Sequence, residues 1–379
     1  MPQKRVSLIT LQYINNYGSV LQTYASQLYL EGKGCSVEIV NYTRENCRFE
    51  NLRRSMKAYY KQKGLFFKLP FVSDLLVARW KKLHIKRNEV FDNFRNDKIH
   101  LSKEYHSIDD LMKNPPNADY YCVGSDQVWN YLYNDGVLPE YFLRYTPNGK
   151  VKFSLSSSLG IDKMEDDECG TLIKEYLEDF VTITVRENTG KKILKELGIN
   201  NCHQILDPTL LIPKDLWVST LGLKKIRDYE YVLVYQLNPC KEMDIFAEQI
   251  AQKKECKLIV ISNNIRMTIP GAEIIGTPSV EQFLELILFA KCVVTDSFHG
   301  TAFSLNFNRE FFSWLPDKYS TRLMSVLEML DLKDRAFTQN ENRWMTLAPI
   351  NYAGVNNVLS QERKKADQLI EGVLNDYEK

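Results

Sequence analysis

Two separate runs of short apolar segments alternating with helix-period segments restrict this chain more than any other feature. In the first run, Val6 to Leu11 reads as a strand, Ser19 to Glu31 as a helix stopped by Gly32-Lys33-Gly34, and Ser36 to Tyr42 as a second strand. The pattern resumes with Asp119 to Gly124 as a buried strand, Val151 to Leu155 and Val181 to Val185 as further strands, and a helix from Thr189 to Leu197 ended at Gly198. The second run follows Trp217. It reads as a strand (Tyr231 to Gln236), a helix (Met243 to Lys254), a strand (Lys257 to Ser262), a helix (Val280 to Ala290), and a strand (Cys292 to Thr295) feeding a helix from Phe298 to Leu305. Helices returning over a parallel sheet cover both of its faces, so the expected fold class is α/β with two Rossmann-like doubly wound domains. A chain of 379 residues, 44% of them hydrophobic, can bury two cores of ordinary size. The expected divisions are an N-terminal domain at 1–212, a C-terminal domain at 213–355, and a helix at 356–379 packing back on the body, with Ala366, Leu369, Ile370 and Val373 on one face.

A basic stretch interrupts the first run. Between Asn51 and Glu104 there are 14 Lys or Arg against 5 Asp or Glu, although the whole chain is nearly balanced at 49 against 48. Its helix-period pattern, carried past Pro70 by Arg79-Trp80-Lys81-Lys82, marks a helical insertion in the first domain. One reading makes it a peripheral contact with anionic lipid or a lipid-linked acceptor through Phe66, Phe67, Leu69, Phe71 and Trp80. The plainer reading, and the commoner fate of such segments, is one packed face and one solvated basic face. The overall balance gives no global field for nucleic acid, so none is expected as a partner. Eight scattered cysteines show neither CxxC nor zinc spacing and read as reduced thiols. The start is too interrupted by polar residues for a signal peptide, and no apolar stretch approaches the eighteen or so residues of a membrane span. The expected location is the cytoplasm, with 51–104 as the one segment able to reach the inner face of the cytoplasmic membrane. GxGxxG, Walker, HExxH and Asp-x-Asp patterns are missing, so no metal and no cofactor are expected.

The sharpest motif is Thr295-Asp296-Ser297-Phe298-His299-Gly300, where an apolar strand runs into capping residues and then a helix. Backbone amides and an imidazole converge there, which is an anion site in outline; the plain alternative is an ordinary N-cap beside a satisfied histidine. In Gly124-Ser125-Asp126-Gln127-Val128-Trp129-Asn130, short polar groups follow a buried strand. They suit a sugar diol, with Asp126 as a candidate base and Gln127 and Asn130 as acceptor contacts, against an Asx-type turn with Trp129 in the core. Arg186, between a strand and a helix, is placed to clamp a carboxylate or phosphate, against a salt bridge to Glu187 or another surface acid. Asn15, Asn16, Tyr17 and Gly18 form a turn able to face a cleft, against a helix cap by Asn16 or Ser19. Lys318 and Arg322 add cations before a late helix, against simple solvated loop charge.

In order, Asn16 to Gln22, Gly124 to Trp129, Ser154 to Gly160, Val185-Arg186-Glu187, Asp207-Pro208-Thr209 and Asp296 to Gly300 resemble the polysaccharide pyruvyl transferase family over roughly residues 6 to 335. The paired sheets likewise resemble the two-domain GT-B architecture of metal-independent glycosyltransferases. The resemblance implies transfer of a pyruvyl group from phosphoenolpyruvate to two hydroxyls of a sugar in a cell-surface polysaccharide or its lipid-linked oligosaccharide precursor, giving a cyclic ketal and phosphate. It implies His299 and Arg186 as donor contacts; the chemistry of the residues adds His299 as the expected catalytic acid, Ser297, Gly300, Arg322 and Lys318 on the donor, Asp126 as acceptor base, and Asn15, Asn16, Tyr17, Gln127 and Asn130 on the acceptor. Better-known members carry Arg directly before the Leu-His or Phe-His pair, where this chain has Ser297; Arg322 or Lys318 is the expected replacement. Two rival functions stand beside this one. A GT-B glycosyltransferase using a nucleotide sugar would need a strand-end carboxylate for the ribose, and a non-catalytic glycan-binding protein would lack cations around His299.

Overall fold

The computed structural model describes residues 3–48, 88–262, 269–315 and 321–376, together with Ala78 and Ile85. The first sheet holds β1 (Lys4–Ile9), β2 (Cys35–Tyr42), β3 (Leu101–Tyr105), β4 (Tyr120–Val123) and β5 (Val151–Ser154) in the order β3-β2-β1-β4-β5. All four pairings are parallel. A short parallel pair, β6 (Ile183–Val185) and β7 (Cys202–Gln204), continues from β5 through isolated bridges at Phe153–Thr182 and Ser157–Val185. The second sheet contains β8 (Tyr231–Tyr235), β9 (Lys257–Ile261), β10 (Glu273–Ile275), β11 (Cys292–Thr295), β12 (Glu310–Trp314) and β13 (Ala336–Phe337), also parallel, in the order β10-β9-β8-β11-β12-β13. Central strands β4, β8 and β11 are buried at every position, which is why their sequences are unbroken apolar runs without alternation.

Helix α1 (Tyr17–Glu31) follows β1, starting two residues ahead of the sequence expectation because Asn16 is the N-cap and accepts from the Gly18 amide. It is buried along almost its whole length, a position usually taken by a core helix, because the second sheet's helices pack against it. Those are α2 (Val280–Leu288), opened by a Ser279–Gln282 capping box, and α3 (Phe298–Asn306), buried at every residue. Helix α4 (Thr321–Met329) follows β12, and α5 (Tyr352–Asp376) closes the described chain. On α5, Ala366, Ile370 and Val373 are buried and Leu369 partly so, the face expected from the sequence. This helix returns to the first sheet's side, where Asp367 bonds to Tyr29 at 3.0 Å and to Lys33 at 2.7 Å.

The basic insertion is corrected at its carboxyl end. Residues 88–98 are helical, but Leu101–Tyr105 form β3, an edge strand on β2. Its sequence, Leu-Ser-Lys-Glu-Tyr, carries an edge strand's polar, charged face and so does not read as a strand. The pattern around Arg79-Trp80-Lys81-Lys82, and the apolar contacts proposed from Phe66 to Trp80, lie outside the described residues.

Candidate active site

Each sheet reverses its winding next to its first strand: between β1 and β4 in one, between β8 and β11 in the other. At such a point the chains leaving the carboxyl ends diverge and leave a crevice. The loops after β1, β4, β8 and β11 meet there around a cavity of about 150 Å³. Leu11, Ile14, Asn16, Asp126 and Gln127 line it from the first sheet's loops, with Ser19 from α1. From the second sheet come Leu237, Ser297, Phe298, His299 and, on α4, Arg322.

The two halves touch closely. A Cβ built on Gly18 would stand 2.0 Å from His299 Nδ1, so only glycine lets the first turn of α1 lie against that ring. Gly300 is constrained in the same way by Thr295, whose Oγ1 would lie 2.4 Å from an added Cβ. Ser297 is the N-cap of α3, its Oγ accepting from the Gly300 amide at 3.3 Å. Asp296 accepts from the amides of Leu237 and Asn238 at 2.7 and 2.8 Å and from the Asn238 side chain at 3.1 Å, tying the loop after β8 to the end of β11.

Behind and beside the cavity lies a buried ion cluster. Arg186 donates through Nη1 to Asp207 Oδ2 at 2.8 Å, has Asp126 Oδ1 at 3.8 Å and Glu187 Oε2 at 4.0 Å, and stacks its guanidinium on Phe298 at 4.4 Å. Arg322 Nη1 stands 4.0 Å from Asp126 Oδ1. Asp126 holds a left-handed backbone, φ 74°, uncommon outside glycine and a feature often retained at functional sites; its Oδ2 accepts from Ser19 Oγ at 2.7 Å. Asp207 accepts from Ser125 Oγ at 2.9 Å and from the Thr209 amide and hydroxyl at 2.9 and 2.6 Å. Arg186 Nε and Nη2, Arg322 Nε and His299 Nε2 are buried with no hydrogen-bond partner among the described residues.

These contacts set the charges. Burial lowers His299 to about 4, with Asp207 opposing it, so the ring is neutral near pH 7. For Asp207, burial acts upward but is outweighed by Arg186, His299 and the Thr209 hydrogen bonds, leaving it at about 2. Burial also works against ionised Asp126, yet Arg186, His299, Arg322 and Ser19 together hold it below the ordinary carboxylate range. Arg322 is brought down to about 10 by burial and by the neighbouring Arg186.

The sequence-derived site residues thus separate into groups. His299, Ser297, Asp126, Gln127, Asn16 and Arg322 share the cavity wall. Arg186 sits one layer behind it, bonded to an acid, though chiefly Asp207 and not Glu187. Gly300 acts within α3 as a close-packing position. Asn15 lines a separate groove of about 1010 Å³ with Tyr13, Asn41, Asn88 and Asn96, which meets the cavity at Ile14 and Tyr133. Asn130 is fully buried, bonding Gln127 and capping the turn at Tyr131–Asn134. Tyr17 stacks on Phe283 at 4.2 Å and donates to the Pro278 carbonyl. Lys318 lies outside the described residues. Ser19, Glu187 and Asp207 are site residues that the sequence reading does not name as such; its signal for Asp207 is the Asp207-Pro208-Thr209 segment of the family resemblance.

Among the described residues, no group of three or more His, Cys, Asp or Glu side chains is arranged to hold a metal ion. Nor is any helix there long and apolar enough to cross a membrane.

Two parallel sheets with their carboxyl edges turned to one ionised cavity define a two-domain α/β protein of the GT-B kind. Solved structures of that fold align along nearly the full length. A putative UDP-N-acetylglucosamine 2-epimerase from Listeria monocytogenes matches with TM-score 0.52 at 11% identity, covering 100% of this chain and 97% of its own. The UDP-N-acetylglucosamine 2-epimerase from Rickettsia bellii matches with TM-score 0.51 at 9% identity, covering 99% and 96%. An Arabidopsis thaliana protein solved with UDP-L-rhamnose gives TM-score 0.52 at 9% identity, covering 98% and 100%. At such identities the likeness is one of fold. The polysaccharide pyruvyl transferase family model matches residues 16–316, and the chain belongs to that family of transferases. No curated protein matches it by sequence.

Proposed function

We propose that this transferase moves a pyruvyl group from phosphoenolpyruvate to two hydroxyls of one sugar in a cell-surface polysaccharide or its lipid-linked precursor, releasing phosphate. The observation that carries the reading is the convergence of His299, Arg322 and Asp126 on one small cavity in a chain of this family. One sugar oxygen bonds to the central carbon of the donor as a proton is delivered to its methylene, which becomes the methyl group. The second oxygen then bonds to the same carbon as phosphate leaves with the remaining proton. His299, neutral in the empty site, becomes the acid once it has taken up a proton beside the anionic donor, and Asp126, held ionised, suits the base that draws a hydroxyl proton. Arg322 Nε, the Ser297 hydroxyl and the first amides of α3 are the donors for phosphate and carboxylate.

Two guanidiniums facing three carboxylates give the cluster no large positive field. The donor is therefore held by directional hydrogen bonds and by His299 gaining a proton beside it. The small cavity suits a three-carbon donor, and the adjoining groove, with its amide and tyrosine side chains, suits the acceptor glycan. A nucleotide-sugar reaction is disfavoured because Asp296, the strand-end carboxylate nearest the cavity in the second sheet, has both oxygens taken up by the 237–238 loop. The cytoplasm, at the inner face of the membrane where lipid-linked precursors are built, is the proposed place of work. Incubation with phosphoenolpyruvate and candidate lipid-linked or oligosaccharide acceptors tests the reading through phosphate release and acid-labile pyruvate on the sugar. Absence of both turnover and donor binding would refute it.

A further inference from the structure

We propose that Asp207 is the positioning residue of His299, holding the neutral imidazole with its proton on Nε2 so that Nδ1 is the nitrogen that exchanges a proton at the cavity. The inference rests on the acid role given to His299 above. Asp207 cannot turn: Oδ1 accepts from the Thr209 amide and hydroxyl, and Oδ2 from Ser125 and Arg186. That same Oδ2 lies 3.9 Å from His299 Nε2. An ionised carboxylate only accepts, so it repels a bare Nε2 lone pair and attracts an Nε2–H. Such contacts commonly run long before substrate binds and then tighten.

The rest of the surroundings agree. Nε2 is buried without another partner among the described residues. Nδ1 lies on the Gly18 side of the ring, and Asn16 and Ser19, close to Gly18 in the chain, are both in the cavity wall with His299. The charged groups facing the ring from the other elements are Arg186 after β6, Asp126 after β4 and Arg322 on α4. Of the carboxylates, Asp207 is the one within 4 Å of a ring nitrogen among the described residues. A second-layer carboxylate that selects one tautomer is worth much of the histidine's catalytic effect, because Nδ1 must offer a lone pair to take up the proton it then delivers, and the wrong tautomer presents a donor there instead.

The test uses the full chain carrying 15N-labelled histidine. Its five histidines are few enough to resolve, and His299→Gln identifies the signal of interest. At pH 7 the His299 ring should be the Nε2–H tautomer; a wild-type ring protonated on Nδ1 overturns the proposal. In Asp207→Asn, Oδ1 keeps its bonds to Thr209 and an amide N–H replaces Oδ2, so the ring should switch to Nδ1–H and pyruvyl transfer should fall ~100-fold or more. A variant that keeps the Nε2–H tautomer also overturns it. Should Asp207→Asn fail to fold, the wild-type tautomer still decides. That measurement needs neither donor nor turnover, so a failed transfer reading and a failed tautomer assignment are told apart.

Discussion

Arg186 and Arg322 share a charge but not a task. Arg186 is 4% exposed and faces three carboxylates, so Arg186→Ala leaves Asp207, Asp126 and Glu187 buried without their main counter-charge. Loss of one partner from a buried pair costs about 3–5 kcal/mol, and the variant should melt well below the wild type. Arg322 lines the cavity, and its nearest acid is 4.0 Å away. Arg322→Ala should leave the melting temperature nearly unchanged and weaken phosphoenolpyruvate binding by ~10-fold or more in calorimetry; unchanged binding would remove Arg322 from the donor site. His299 adds a pH effect. Its ordinary value of 6.5 is lowered to about 4 in the fold, so between those values the unfolded chain holds a proton that the native site does not. The resulting stability is complete above pH 6.5 and lost as pH falls toward 4, on the order of 3 kcal/mol in all. His299→Gln should abolish that component: urea midpoints at pH 7 and pH 5 should differ less in the variant, and an equal drop in both proteins would refute the assignment.

At the scale of elements, the site depends on the amino ends of α1 and α3 pressing together at Gly18 and His299. Alanine normally favours a helix over glycine by about 1 kcal/mol. Here the added methyl meets a ring carried on a helix whose Ala302, Phe303 and Leu305 are fully buried, so α3 cannot retreat. Gly18→Ala should therefore destabilise by about 1–3 kcal/mol and reduce turnover at least ~10-fold; a stabilised, fully active variant would contradict the packing. The elements flanking this contact were legible in the sequence because β4, β8 and β11 are unbroken apolar runs and because capping residues, Asn16 and Ser297, follow β1 and β11. Strand β3 was not, because an edge strand's charged side chains blur the apolar signal. The two-residue β13 is too short to carry any period.

For the whole molecule, one hydrophobic core runs from β1 and α1 of the first sheet through α2 and α3 to β8 of the second. Tyr17 stacked on Phe283, and α5 returning to Tyr29 and Lys33, bind the halves further. Heat should accordingly unfold the chain in a single calorimetric transition, two separated transitions in the wild type being the contrary result. Tyr17→Ala should lower the midpoint by removing about 3–5 kcal/mol of interface packing.

By itself the sequence determined the two α/β sheets, the family, and the strand-end positions of His299 and Asp126. Each of these is written in local periodicity or in a short contiguous motif. Only the tertiary structure decided that Arg186 lies behind the cavity while Arg322 lines it, that Tyr17 stacks on Phe283 where the two halves meet, and that Asp207 faces His299. Those depend on how two sheets dock. Docking brings together residues up to some three hundred positions apart whose separate local patterns, a strand-end arginine or an Asp-Pro turn, are the same whichever way they come to face.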